Sequence, residues 1–186
     1  MSTPRIAPLA PEGRDPRTAE LLDSLRRPDG SELNLFTTLA HHPRLLKRWS
    51  AFGGVLLYAG TLPARERELL ILRTAWHCDA HYEWGQHVAI ALAAGVTDDE
   101  ITRVASGPHA PGWSNDDAVL LHAADELHAD ARISDATWAA LGERFDQAQL
   151  IELCMLVGQY HLVAFTLNSL GIQGEGPLPA IPGRPQ

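Results

Sequence analysis

The chain has 186 residues, a formal net charge of −8 and a hydrophobic fraction of 45%. This length fits one domain that buries enough apolar surface to fold without a disulfide or a metal. Because 23 Asp and Glu residues outnumber 15 Lys and Arg residues, the chain lacks the concentrated positive surface that nucleic acid or an anionic membrane requires. Its two cysteines form no disulfide framework. We expect a cytoplasmic protein, with neither a signal peptide nor a membrane-spanning helix.

The chain is predicted to form one all-helical domain over residues 17–170. It is preceded by a Pro-rich arm, residues 1–16, and followed by a tail, residues 171–186, whose four Gly and four Pro predict mobility. Strand signals are nearly absent, and the fold class is therefore all-α. Apolar periodicity with Pro and Gly breaks predicts helices over residues 18–27, 33–42, 43–59, 61–77, 81–94, 116–129, 135–145 and 147–169, with a short one starting at residue 97.

Three helix starts have specific capping signals. The Thr-Asp-Asp-Glu stretch at 97–100 is typical of a capping box, and Asp146 with Gln149 is a second plausible cap. Thr61 is the expected N-cap of the helix that ends at residue 77, with Pro63 in its first turn. These signals fix where the helices begin more firmly than where they end.

The last predicted helix is apolar on nearly all sides. Such a helix lies either at the centre of a fold or in a subunit interface. The sequence therefore predicts a homo-oligomer as well as a helical core.

Two carboxylates and an imidazole mark the candidate site. Glu83 and His87 are four residues apart and share one helix face. Glu68 lies on the preceding helix among leucines, where a carboxylate needs a partner. If the two helices pack antiparallel, the three side chains converge in a desolvated pocket, where proton transfer near neutral pH is feasible.

These residues belong to a longer pattern that resembles the carboxymuconolactone decarboxylase/alkylhydroperoxidase D (AhpD)-like superfamily. The resemblance covers residues 45–105 and extends to the last helix at 158–168. It implies an AhpD-like helical bundle and a homo-oligomer, most simply a trimer or a hexamer. The Arg-, Ala- and Pro-rich composition is typical of a bacterial source with a high GC content. The motifs that carry the resemblance are Leu62-Pro63, Glu66, Glu68, Leu72-Arg73, Tyr82-Glu83-Trp84-x-x-His87, Ala94-Gly95-Val96-Thr97 and Glu100-Ile101.

The resemblance also shows where this chain departs from the peroxidase members. Those members use a Glu, a Cys-x-x-Cys pair and a His, and the first and last of these fall on Glu68 and His87. The two Cys positions fall on Ala80 and Glu83, so the thiol pair of a dithiol cycle is missing. The decarboxylase members lack the Cys pair and keep a His, which agrees better with Glu83.

Three functions follow as alternatives. The first is a cofactor-free enzyme that decarboxylates or isomerises a small carbonyl or lactone acid, with Glu68, Glu83 and His87 as catalytic residues. The second is an AhpD-like thiol-dependent peroxidase or reductase that uses Cys78, a residue that otherwise packs as a small hydrophobe. The third is a non-catalytic oligomeric binding protein.

Four further side chains are candidates for substrate binding: Tyr82, Trp84, Arg73 and His161. The aromatic pair equally fits core packing, and His161 equally fits a structural hydrogen bond. No cofactor and no metal are expected. His77 and His81 have the spacing of a metal pair, but a helix break near residues 78–80 separates them.

Overall fold

The computed structural model describes residues 3–184 and confirms the all-α prediction. Within these residues there are nine α-helices and no strand, and 64% of them are helical. A 3₁₀ turn at Pro11–Gly13 precedes them. The helices are α1 (Pro16–Asp23), α2 (Asn34–Leu39), α3 (Pro43–Tyr58), α4 (Ala64–His77), α5 (His81–Ala93), α6 (Asp98–Ser106), α7 (Asn115–Asp130), α8 (Asp135–Gly142) and α9 (Gln147–Leu170).

Two of the three predicted helix caps are confirmed, and one is wrong. Both capping boxes are present, at Thr97 with Glu100 and at Asp146 with Gln149. The predicted N-cap at Thr61 is wrong, because α4 begins only at Ala64. The Thr61 backbone N–H and hydroxyl both donate to the Glu152 carboxylate of α9, at 2.5 and 2.8 Å. The Thr61 side chain, which was expected to cap α4, therefore forms a tertiary hydrogen bond to α9 instead.

Helix α4 is the centre of the bundle. Its residues 69–72 and Ala75 are fully buried, and α4 packs against α5, α6, α7 and α9. A tight turn then reverses the chain: Asp79 takes a left-handed conformation with φ +51°, and the Ala80 N–H donates to the Ala75 carbonyl at 2.9 Å. The predicted break between α4 and α5 is thereby confirmed, and α5 folds back along α4.

Helix α9 combines a buried face with an exposed apolar stripe. Its 24 residues have a mean hydropathy of 1.6 in the most apolar window, which would suffice in length and composition to cross a membrane. Of that window, 56% is buried within the protein, as in the core helix of a bundle. Ile151, Met155, Leu162 and Phe165 nevertheless point outward and are between 48% and 65% exposed.

Both terminal segments lie against the helices. The Arg5 N–H donates to the Leu170 carbonyl at 2.9 Å, which holds the arm on the end of α9. Composition predicts a mobile tail, but the structure docks it through 184: Leu178 packs over Gly85, and Ile181 is buried. The outermost parts of both segments, residues 1–2 and 185–186, lie outside the described residues.

Candidate functional site

The site is built around a buried hydrogen bond between α4 and α5. Glu68 is 0% exposed and its Oε2 lies 2.7 Å from Nδ1 of His87, which is 8% exposed. The other carboxylate oxygen accepts from Nε of Arg67 at 2.9 Å. Glu68 thus accepts two hydrogen bonds, as an ionised carboxylate does. With Nδ1–H donated to Glu68, the Nε2 atom of His87 carries the free lone pair.

Glu83 lies one helical turn before His87 on α5 and is in a different electrostatic state. Its carboxyl group is buried, and within residues 3–184 neither oxygen has a hydrogen-bond partner. Loss of solvation therefore raises the pKa of Glu83 well above its usual 4.5. Burial therefore favours the neutral form of this carboxyl group, which carries a proton that it can donate.

Tyr160 of α9 is the residue that the sequence analysis missed. Its ring meets the His87 ring edge-on, with centroids 5.0 Å apart. Burial raises the pKa of Tyr160 well above 10, and the negative charges of Glu68 and Glu83 raise it further. The phenol therefore stays neutral. A polar side chain in an otherwise apolar stretch of α9 was the available signal for it.

The acidic pair and its imidazole are closed off from solvent in the single chain. Two cavities of about 440 and 330 Å³ are found elsewhere. The first is lined by Glu126, Asp130, Arg132 and Ser134, and the second by residues around Trp76 and Arg184. Neither lining includes Glu68, Glu83 or His87.

Three of the predicted substrate contacts have other surroundings. Trp84 is buried in the main core, and the Tyr82 hydroxyl donates to Glu175 of the tail at 2.7 Å. Arg73 donates to Asp125 at 2.6 Å and to the Val104 carbonyl at 2.9 Å. The geometry does not support an orienting role for Arg73 at His87, because its guanidinium is committed to α7 and the end of α6.

Cys78 and His161 lie together in a second, less buried group. His161 Nε2 is 2.9 Å from Nδ1 of His128, and the sulfur of Cys78 is close to both. Burial, and secondarily the charge of Glu83, raises the pKa of the Cys78 thiol to about 11. The sequence analysis gave His77 and His81 the spacing of a metal pair. In the structure, Nε2 of His77 lies 2.6 Å from the Asp125 carboxylate.

The chain matches the carboxymuconolactone decarboxylase family over residues 43–126, which contain α3 to α5, Glu68, Glu83 and His87. No curated protein matches its sequence. Its fold is shared with several solved structures of low sequence identity, between 14% and 18% for the three described next.

A peroxidase-related protein from Ralstonia eutropha JMP134 with an alkylhydroperoxidase AhpD core superposes with a TM-score of 0.82 at 18% identity, over 94% of each chain. A peroxidase-related protein from Silicibacter sp. TM1040 gives 0.79 at 15% identity, over 95% of this chain and 96% of that one. The debrominase Bmp8 in complex with 2,3,4-tribromopyrrole gives 0.77 at 14% identity, over 95% and 94%. Residues 43–126, a little under half of the chain, thus match the carboxymuconolactone decarboxylase family, and the chain shares the all-helical fold of the AhpD-like structures.

Proposed function

We propose that the chain is an enzyme that transfers protons, without a cofactor, on a small carbonyl or lactone acid, leading to decarboxylation or isomerisation. The family match over residues 43–126 supports an enzyme or a peroxidase-like role in general. The finer proposal rests on one observation: His87, hydrogen-bonded to the buried Glu68, and Glu83, whose neutral form is favoured by burial, lie on the same face of α5.

The three side chains divide the work of acid and base. Glu68 orients the His87 ring and stabilises the imidazolium that forms when Nε2 takes a proton from the substrate. Glu83, kept protonated by burial, returns a proton to the developing enolate or carbanion. Two titratable groups whose environments drive their protonation apart are the recurring basis of acid–base assignments in enzymes.

Tyr160 adds a fourth, neutral hydrogen-bonding group beside His87. Because burial and two nearby carboxyls oppose its ionisation, its phenol can donate to a substrate oxygen on which negative charge develops. We assign it the part of an electrophilic partner.

A thiol mechanism has weaker support at Cys78. The thiolate is the reactive form of cysteine, and a pKa of about 11 leaves little of it at neutral pH. The second thiol of a dithiol cycle is missing from the motif, because Ala80 and Glu83 occupy the two Cys positions. The other cysteine, Cys154, lies on α9 and is half-buried among apolar side chains.

The test is proton exchange at carbon. Wild-type protein in deuterium oxide is incubated with a panel of γ-lactone acids and β-keto acids, and deuterium incorporation and carbon dioxide release are followed by NMR. His87→Ala and Glu83→Gln are expected to reduce the rate by about 10²–10⁴-fold, the usual contribution of a general acid or base. His122→Ala, a half-buried histidine on α7, is the matched control and should react as the wild type does.

A parallel assay decides between the two chemistries. The same proteins are given an organic hydroperoxide and a dithiol reductant. Peroxide consumption that disappears in Cys78→Ser but persists in His87→Ala would replace acid–base chemistry with the thiol alternative. Absence of both activities in all proteins would favour the non-catalytic alternative.

We also propose that the enzyme works as a homo-oligomer. The exposed apolar side chains of α9 repeat at intervals of four, seven and three residues, which keeps them on one stripe. Leu45, Phe52, Val55 and Tyr58 form a second exposed apolar set on α3, which packs beside α9. Contiguous patches of this kind mark protein–protein contacts, and a second copy of the chain is the proposed partner.

A further inference from the structure

Cys78, His128 and His161 form a compact set of metal-ligating atoms outside the proton-transfer site. Cys78 ends α4, His128 lies in the last turn of α7 and His161 is in α9. One ligand atom from each, a sulfur and two nitrogens, lies within 4.8 Å of the others. We propose that these three side chains bind a zinc ion.

The geometry requires only small side-chain movements. Tetrahedral zinc, with bonds of about 2.0–2.1 Å to nitrogen and about 2.3 Å to sulfur, separates two nitrogens by about 3.3 Å and a nitrogen from a sulfur by about 3.6 Å. The imidazole nitrogens of His128 and His161 are 2.9 Å apart, so they separate slightly as the ion enters. The sulfur closes toward them from within 4.8 Å.

The surroundings hold the ligands as the outer shell of a metal site does. The Nδ1 atom of His161 donates to the Val157 carbonyl at 2.8 Å. This bond fixes the tautomer and leaves the Nε2 lone pair facing His128. The backbone carbonyl of Cys78 accepts from the Asn168 amide at 2.8 Å, which ties the end of α4 to α9.

His128 is oriented by a stacked neighbour. Its ring lies on that of His77, with centroids 4.3 Å apart, and His77 is in turn fixed by Asp125 at 2.6 Å. The three ligands therefore come from separate helices, and each is restrained by a contact other than the ligand set itself.

The donor set selects the kind of ion. A thiolate with two imidazoles suits zinc better than the oxygen-seeking magnesium or calcium. On binding, the Cys78 thiol gives its proton to solvent as the sulfur–zinc bond forms, and His128 moves its proton from Nδ1 to Nε2. Both imidazoles stay neutral, so one proton is released per ion. Three protein ligands leave a fourth position for water or a small anion.

This site is independent of the proposed proton-transfer function, and its test needs no substrate. The full chain is stripped with a chelator and titrated with Co²⁺, which replaces zinc and reports thiolate coordination by a sulfur-to-cobalt charge-transfer band. We expect one Co²⁺ per chain, displaced by one equivalent of Zn²⁺. Cys78→Ser should abolish the charge-transfer band, and His128→Ala and His161→Ala should weaken binding by at least about 10–100-fold.

Two matched variants control for unspecific binding. Cys154→Ser removes the other half-buried cysteine, and His122→Ala removes a histidine from the same helix as His128; both should bind as the wild type does. His128 is exposed, so its replacement keeps the fold, which circular dichroism verifies. No Co²⁺ binding by the wild type, a band that survives in Cys78→Ser, or equal losses in the two controls would each overturn the site.

Discussion

The proposed proton-transfer site, which is buried, and the proposed zinc-ligand cluster, which is partly exposed, contact α9 on two different faces. Tyr160 and His161 are consecutive in α9, yet Tyr160 packs against His87 while His161 meets His128. One residue along a helix turns the side chain by about 100°. That single step separates a site from which water is excluded from a cluster that solvent and ions can reach.

The difference shows what burial does to chemistry. In the buried region, loss of solvation raises the pKa of Glu83 and so favours the protonated carboxyl that the proposed acid requires. In the exposed region, burial of the Cys78 thiol likewise favours its protonated form, and only an entering ion would make thiolate binding favourable. Under the two proposals, the first region transfers protons without a bound ion, whereas the second is completed only when an ion binds.

The largest expected effect is a loss of stability when a side chain of the buried region is removed, compared with the same change in the partly exposed cluster. Glu68→Ala leaves Arg67 and His87 without their acceptor. Breaking a buried ion pair by removing one partner costs about 3–5 kcal/mol, measured as the free energy of unfolding in urea. His128→Ala is the matched change in the exposed cluster and should cost less than about 0.5 kcal/mol. Equal losses would remove the distinction between the regions.

A second effect concerns the exposed apolar stripe of α9, which we expect a second copy of the chain to cover in solution. Phe165 lies on the apolar stripe of α9 and contacts the His161 ring at 5.9 Å between centroids. Ile151→Glu with Phe165→Glu places charges on the stripe and should convert the oligomer into a monomer by light scattering. Because both side chains are solvent-exposed, monomer stability should change by about 0.5 kcal/mol or less per substitution.

Two results would contradict that expectation. A wild-type protein that is monomeric at micromolar concentration would show that the stripe has another partner or none. An oligomer that survives both substitutions would show that the subunits meet elsewhere. Asp135→Ala, an exposed change at the start of α8, is the control and should leave the mass of the assembly unchanged.

The smallest effect is a pH dependence of the free energy of unfolding that arises from the buried Glu83. Because the pKa of Glu83 is higher in the folded chain than the 4.5 of an unfolded one, the folded state binds more protons between these two values. The free energy of unfolding therefore falls as pH rises above about 4.5 through the folded-state pKa. Glu83→Gln cannot ionise and should be more stable than the wild type at pH 8, by on the order of 1 kcal/mol.

The check is urea unfolding of both proteins at pH 5 and pH 8. The stability difference between them should be larger at pH 8 than at pH 5. A wild-type protein that loses no more stability than Glu83→Gln over this interval would mean that Glu83 is solvated or paired, and it would remove the proposed acid.

Local sequence was sufficient for the helices and for part of the site. Periodicity, Pro and Gly breaks and two capping boxes predicted the all-α fold, because these signals act within one or two turns of chain. The i, i+4 spacing placed Glu83 and His87 on one face of α5, and the apolar run around Glu68 predicted that its carboxylate would have a partner. The observed Glu68–His87 hydrogen bond joins these two local patterns.

Only the tertiary structure decided which distant side chains meet. Thr61, the expected N-cap of α4, instead donates a hydrogen bond to Glu152 of α9, and Arg73 donates to Asp125 of α7. The packing of α9 places the Tyr160 ring against His87. Cys78, His128 and His161 are separated by 50 and 33 positions in the chain, and no periodic pattern connects them. Helix packing depends on how side chains from several helices fit together, so such contacts follow from the folded bundle and not from any single stretch of sequence.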